Sequence, residues 1–411
     1  MKKWSAISLF TSAINFALSP WGAALGAVIV YLLVSYLKGQ IFRPSDHPYY
    51  SYLADAFLHG QSWLRVLPPR SIHDLIFLNG HYFLYWAPFP AFLLIPFVAL
   101  FGVELNDVIY TILIAAFNVG LVSYLLLVAN ETGFLRLSRI QRFLLVAAFA
   151  FGSVHFFLAP FGKVWMTGQL VGFSCTLLAY IAAFSLRGWK AWFFTGLSLA
   201  CAMLTRNQMV FTGIFPAIYL LMKEKPWIWK HVFRHLAVAA LPLLAGLGFL
   251  LYYNNVRFGS PFNNGLDYHN MAESFKADYQ MYGPFNLHYV PKNIYYQYIF
   301  YPFPYREEST VGGSLFLLSP VFFAAFVSFY KPRSKIYLWA LVASILVTNI
   351  PILLLMGTGQ TQFGPRYTLD FTVPLLLLTT LGLERWKTWL IFLLTGISIL
   401  HYSLGLYFLT F

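Results

Sequence analysis

Asp46 stands near the start of FRPSDHPYYSYLADAFLHGQ, residues 42–61, a few residues beyond a strongly apolar run. The segment PYYSYLADAFLHG reads as a juxtamembrane helix, so Asp46, with His47, Tyr49 and Tyr50 after it, is held near a bilayer surface. A carboxylate there can take a proton from an acceptor hydroxyl or amine, the work of a general base. Asp ahead of a helix also serves as an N-cap. The complementary groups are cations. Arg206 in CAMLTRNQMVF, Arg366 in TQFGPRYTLDF and Lys163 in APFGKVWMTG each stand in a short turn between apolar runs. Together they suit a lipid-linked phosphate or diphosphate, to which Arg donates bidentate bonds. Taken singly, each would equally snorkel to the interface.

Other chemistries find little support. His47, His59, His73 and His81 share one polar stretch, without a zinc-type spacing or a Cys partner. Asp267 and His269 in GLDYHN read as a ligand pair, a second base or a loop hydrogen-bond pair. No nucleophile elbow, phosphate-binding loop or dinucleotide fingerprint occurs in the right setting. No cofactor is indicated, and a divalent metal is left open without a motif to hold it. Cys175 and Cys201 lie inside apolar runs and imply no disulfide framework.

The elements that must position these groups are membrane helices. Of 411 residues, 59% are hydrophobic, 20% aromatic and only 10% charged, which is far from soluble-protein usage. Apolar runs near the ~20 residues needed to cross a bilayer recur throughout. The reading is an all-α polytopic membrane protein and a single domain over 1–411. Spans are expected near 21–38, 108–129, 142–160, 165–186, 191–205, 208–222, 236–254, 311–330, 336–356, 368–383 and 388–409, eleven in all. Ahead of them, Ser5, Ser8, Ser12, Asn15 and Ser19 form a polar stripe that predicts an interfacial helix, retained rather than cleaved as a signal peptide.

Charge orients the chain. If the Pro-rich segment 84–102 dips in without crossing, sixteen of the 27 basic residues and only three acids fall on the side of Lys2 and Lys3. The whole net charge of +13 then lies on the cytoplasmic side, as the positive-inside rule requires. That leaves two long outer loops, 39–107 with the dipping helix and 255–310. Eight acids lie in 39–83 and 255–310: Asp46, Asp55, Asp74, Asp267, Glu273, Asp278, Glu307 and Glu308. The run IYYQYIFYPFPY in the second reads as an interfacial aromatic belt, or as a wall for sugar rings and lipid. The basic residues form no nucleic-acid recognition motif, so no nucleic-acid partner is expected.

In order along the chain, the D-x-P-Y-Y setting of Asp46, the Pro-rich helix after NGHYFLYWAPFPAFLLIPFVALFG, LTR closing a mid-chain span, RFGSPFNNG and GPRYTLDFTVPLLLL resemble the GT-C superfamily. These integral-membrane glycosyltransferases include the protein O-mannosyltransferases and the aminoarabinose transferases. The resemblance implies sugar transfer from a polyprenyl-phosphate carrier to a glycan, lipid or protein acceptor on the outer face of the plasma (inner) membrane. It makes Asp46 the catalytic acid of the first loop and Arg206 and Arg366 the donor-phosphate residues, with Lys163 beside them. His47, Tyr49, Tyr50, His81, Asp267, His269 and Tyr367 are then substrate-contact candidates. Two departures stand out. His47 occupies the place of a second acid, and YWAPFP replaces the family's K-P-P or H-P-P, with His81 the nearest substitute. A transporter or lipid flippase is the rival, although such proteins place ionisable groups near the midplane and often carry inverted repeats. A non-catalytic relative is the third reading.

Overall fold

The least apolar long helix lies at the centre of the molecule. The computed structural model describes residues 15, 16, 18–330, 332–357, 359 and 361–409. Its helices are α1 (Pro20–Leu37), α2 (Tyr49–Leu58), α3 (Phe89–Phe101), α4 (Asp107–Glu131), α5 (Arg139–Phe151), α6 (Val154–Leu158), α7 (Val164–Ser185), α8 (Gly188–Met203) and α9 (Ile214–Lys223). They continue with α10 (Trp229–Phe258), α11 (Glu273–Tyr282), α12 (Val290–Ile294), α13 (Leu315–Leu318), α14 (Ala324–Val327), α15 (Lys335–Leu354), α16 (Thr372–Leu383) and α17 (Thr388–Phe408). Among the described residues, six helices are long and apolar enough to cross a membrane: α1, α4, α7, α10, α15 and α17. Of these, α7 has a mean hydropathy of only 1.4 and is 94% buried, whereas α10, at 2.0, is 17% buried. A helix packed in protein can carry Gln169, Ser174 and Thr176, because neighbours satisfy their polar atoms; one facing lipid cannot.

Of the five remaining expected spans, 191–205 is the single 16-residue helix α8, and the other four are helical but broken. Residues 142–160 become α5 and α6, parted at Gly152 and Ser153, and 208–222 becomes a 3-10 turn, Asn207–Gly213, followed by α9. Residues 368–383 likewise become a 3-10 turn, Arg366–Phe371, followed by α16, and 311–330 divides into α13, Pro320–Phe323 and α14. Two of these pieces pack backbone to backbone: a Cβ on Gly382 of α16 would collide with the Ala324 carbonyl of α14. The expected striped helix before Pro20 lies outside the described residues apart from Asn15 and Ser19, and so do Lys2, Lys3 and Lys331.

The long polar loops are ordered layers at one end of this bundle. The Asn106 side chain donates to the Ile41 carbonyl at 2.8 Å, so residues 42–105 leave and return at the same end. Within them α3 has 13 residues, about 20 Å long against a hydrocarbon core of ~30 Å, too short to cross. The all-α expectation needs one correction: β1 (Leu75–Leu78) and β2 (His81–Leu84) pair antiparallel. Asn79 and Gly80 both take positive φ, 51° and 79°, the two-residue turn that Asn-Gly favours. The hairpin claims Leu84 from the apolar run 84–102. Arg257, near the end of α10, donates to the Leu84 carbonyl at 2.6 Å and anchors the hairpin to the bundle.

Candidate active site

A buried acid assembles the site without being its most exposed group. Asp107, at the start of α4, accepts from the Ser45 backbone N–H at 2.7 Å, the Ser45 hydroxyl at 2.6 Å and the Lys163 N–H at 3.1 Å. The Val164 N–H donates to the His47 carbonyl at 3.0 Å. Three chain segments are thereby fixed together, with Asp46 between Ser45 and His47 and Lys163 at the head of α7. Lys163 takes a positive φ of 67° in this turn.

Asp46 itself is accessible. Its side chain is 53% exposed, and its ion pair to Arg70 Nη1 is long, 3.6 Å. It does not cap α2, whose N-cap is Pro48 with no side-chain bond, so the capping role is not the one it plays. Its charge acts on both His47 and Lys163. The His47 ring packs on Trp165 at 4.6 Å, and its Nδ1 has no hydrogen-bond partner. Burial, helped by the charges of Lys163 and His73, pushes the imidazole down to about 4 against the opposing pull of Asp46 and Asp74. His47 is therefore a neutral group beside Asp46.

The arginines meet on one ring. Arg206 lies 5.1 Å and Arg366 5.0 Å from the centroid of Tyr367. Arg206 Nε donates to Asp370 Oδ2 at 2.8 Å, and Gln208 donates to the same oxygen at 2.7 Å. Burial of Arg206 works against its charge, but Asp370, together with Tyr367 and Tyr85, more than offsets this and holds the guanidinium charged. Gln169 of α7 donates to the Arg366 carbonyl at 2.9 Å, which locks the 3-10 turn that carries Arg366. Arg366 is 7% exposed and its Nε has no hydrogen-bond partner. Lys163 is near enough for the charge of Arg366 to act on it; burial first, then that neighbour, draws its amine down while Asp46 opposes both. A cavity of about 530 Å³ lined by Glu307, Glu308, Thr310, Val311 and Thr361 lies beside the segment leading to Arg366.

The other candidates divide. Tyr49 is fully buried and its hydroxyl donates to the His73 carbonyl at 2.7 Å, while Tyr50 is 3% exposed and packs on Gly168 of α7. His81 is exposed at the hairpin turn, tilted against Trp63 at 4.7 Å. Asp267 and His269 are not partners: Asp267 accepts from the Tyr279 hydroxyl at 2.6 Å, and His269 turns to Asp74, 3.2 Å away. Sequence reasoning passed over Asp74, Asp107, Asp370 and Arg257. For Asp370 a signal existed, since an acid inside the apolar run TLDFTVPLLLL demands a partner. Among the described residues, no group of three or more His, Cys, Asp or Glu is arranged to hold a metal.

No family model and no curated protein matches the chain. Solved structures do. ArnT from Cupriavidus metallidurans bound to undecaprenyl phosphate superposes with a TM-score of 0.52 at 16% identity, over 89% of this chain and 61% of that one. Its apo form gives 0.53 at 15% identity, over 89% and 60%. The fold is GT-C. This chain spans about three fifths of the length of the ArnT structures it matches. The GT-C fold and six apolar helices make it a multi-pass membrane protein.

Proposed function

We propose that the chain, acting as a single domain, is a membrane glycosyltransferase that moves a sugar from a polyprenyl-phosphate carrier to an acceptor on the outer face of the membrane. The observation that carries this reading is the convergence of Arg206 and Arg366 on Tyr367, with Lys163 linking that cluster to Asp46. The GT-C fold shared with an ArnT structure bound to undecaprenyl phosphate supports it. A carrier phosphate would lie against Arg366 and Lys163, with Arg206 holding the framework through Asp370. The acceptor hydroxyl or amine gives its proton to Asp46 as its oxygen or nitrogen attacks the anomeric carbon. The bond from that carbon to the phosphate oxygen breaks, and the electron pair leaves on the carrier. Attack opposite the leaving group inverts the anomeric centre. Because phosphate departs as a stable anion, positive groups matter more than a general acid. A site at membrane level aligns a donor diffusing in the bilayer with an acceptor arriving from water.

Titrating the purified protein with undecaprenyl phosphate tests the anion site: saturable binding that weakens in Arg366→Ala is expected, and equal binding by the two proteins would remove the assignment. Orientation is tested by introducing Cys at Leu105, which should be labelled by an impermeant reagent from outside intact cells. Labelling only after permeabilisation would reverse the topology.

A further inference from the structure

The first long loop holds a second carboxylate that the proposed reaction does not use, and it is held more firmly than Asp46. Asp74 takes a positive φ of 64° and its N–H donates to the Asn270 carbonyl at 3.0 Å, so the second long loop clamps it in place. The Trp165 indole N–H donates to its Oδ2 at 3.0 Å. His73 and His269 bring their Nε2 atoms to 3.3 and 3.2 Å of Oδ1. The His269 contact lies off the hydrogen-bond axis, and both ring nitrogens of this imidazole, whose side chain is 5% exposed, lack a hydrogen-bond partner. An ionised carboxylate offers about four acceptor positions. Only the indole bond is a well-aligned occupant here, and the side chain stays 14% exposed.

Flat aromatic surfaces adjoin this acid. The Tyr85 ring packs on Trp86 at 4.0 Å and against His269 at 4.5 Å, and Trp86 meets Trp165 edge-on at 6.2 Å. Tyr85 also connects the acid to the phosphate site, because the charges of Asp74, Arg366 and Arg206 all act on it. A fixed carboxylate, an imidazole with an unpaired Nδ1 and a close-packed set of tilted and edge-on aromatic rings, near the arginine cluster, match a polyhydroxylated ring attached directly to a phosphate. We infer that Asp74, His269 and the Tyr85–Trp86–Trp165 wall form the subsite for the sugar carried by the lipid donor. The inference rests on the reading of Arg366 and its neighbours as the carrier-phosphate site. Burial pushes the Asp74 carboxyl up, but His269, His73 and Trp165 more than offset it and leave it below its ordinary range. It therefore stays an anion that accepts hydroxyl hydrogen bonds, which suits recognition better than proton abstraction.

The test compares two ligands on the protein in lipid nanodiscs: undecaprenyl phosphate without sugar, and a panel of undecaprenyl-phosphate hexoses and pentoses, read by tryptophan fluorescence. The wild type should bind at least one loaded carrier about tenfold or more tighter than the bare carrier, the scale of a hydrogen bond to a charged group. Asp74→Asn should erase that ratio and leave bare-carrier affinity unchanged, and Trp165→Phe should reduce it. A ratio that survives in both variants overturns the inference. So does an equal loss for both carriers, which is the mark of a loop clamp alone, or the absence of any sugar preference in the wild type. Failure of the folded wild type to bind the bare carrier would instead remove the phosphate site and the function built on it.

Discussion

The acid-bearing segment around Asp46 and the cation cluster over Tyr367, which the proposed reaction joins in one site, are held in opposite ways. Asp46 is half exposed and reaches its partner Arg70 only at 3.6 Å. Arg206, Asp370 and Gln208 are linked by bonds of 2.7–2.8 Å, and the Asp370 side chain is fully shielded. In the proposed reaction, the group that would meet an incoming acceptor is left open, while the groups that would receive a departing phosphate are set before it arrives, where fixed charges act without reorganisation. Within the cation cluster a second contrast appears. Arg206 spends its charge on Asp370, whereas Arg366 keeps an unpaired Nε.

Substitutions should separate these roles. Asp46→Asn is expected to lower sugar transfer by about 10²–10⁴-fold, the usual weight of a general base, without moving the melting temperature. Arg206→Met should act mainly on the fold: it strands Asp370 as a buried unpaired charge at a cost of about 3–5 kcal/mol, read as a fall in thermal stability in detergent. Arg366→Ala should spare stability more and weaken bare-carrier binding by about 10- to 100-fold, the value of charged hydrogen bonds near 1.5–3 kcal/mol. If the two arginine variants behaved alike, the contrast between them would fail.

Asp107→Asn tests the join between the two regions. It replaces an oxygen that accepts from the Ser45 hydroxyl and the Lys163 N–H by an amide donor, costing about 1–3 kcal/mol and loosening Asp46 and Lys163 together. Transfer should then fall more than carrier binding. The smallest effect concerns pH. His47 is pushed down to about 4 in the folded protein, so between its ordinary value near 6.5 and about 4 the unfolded chain binds more protons. Stability should decline as pH falls through that window, and His47→Gln should flatten the decline in a pH series of melting curves.

Much of the helical frame was legible because lipid imposes long apolar runs whatever the tertiary contacts. The breaks were not, since hydropathy is blind to a 3-10 turn such as Arg366–Phe371 or to the part between α5 and α6. The hairpin carried its own signal in Asn79-Gly80, hidden because Leu84 also belongs to the apolar run that continues into α3. In the site, Arg206 and Arg366 could be guessed as a pair from their matching turns. Asp370, the counter-ion of Arg206, sits 164 residues from it, and the Trp165 that holds Asp74 lies 91 residues from that acid; spacing along the chain says nothing of such contacts. Asp267 and His269 show the converse, two neighbours in sequence whose side chains go to different partners.

The most direct test of the account is single-turnover transfer by Asp46→Asn, with undecaprenyl-phosphate-sugar donor and membrane-fraction acceptor, measured alongside donor binding by the same preparation. The account predicts donor bound at wild-type affinity and sugar transfer slowed by about 10²–10⁴-fold. Wild-type turnover by that variant would contradict it.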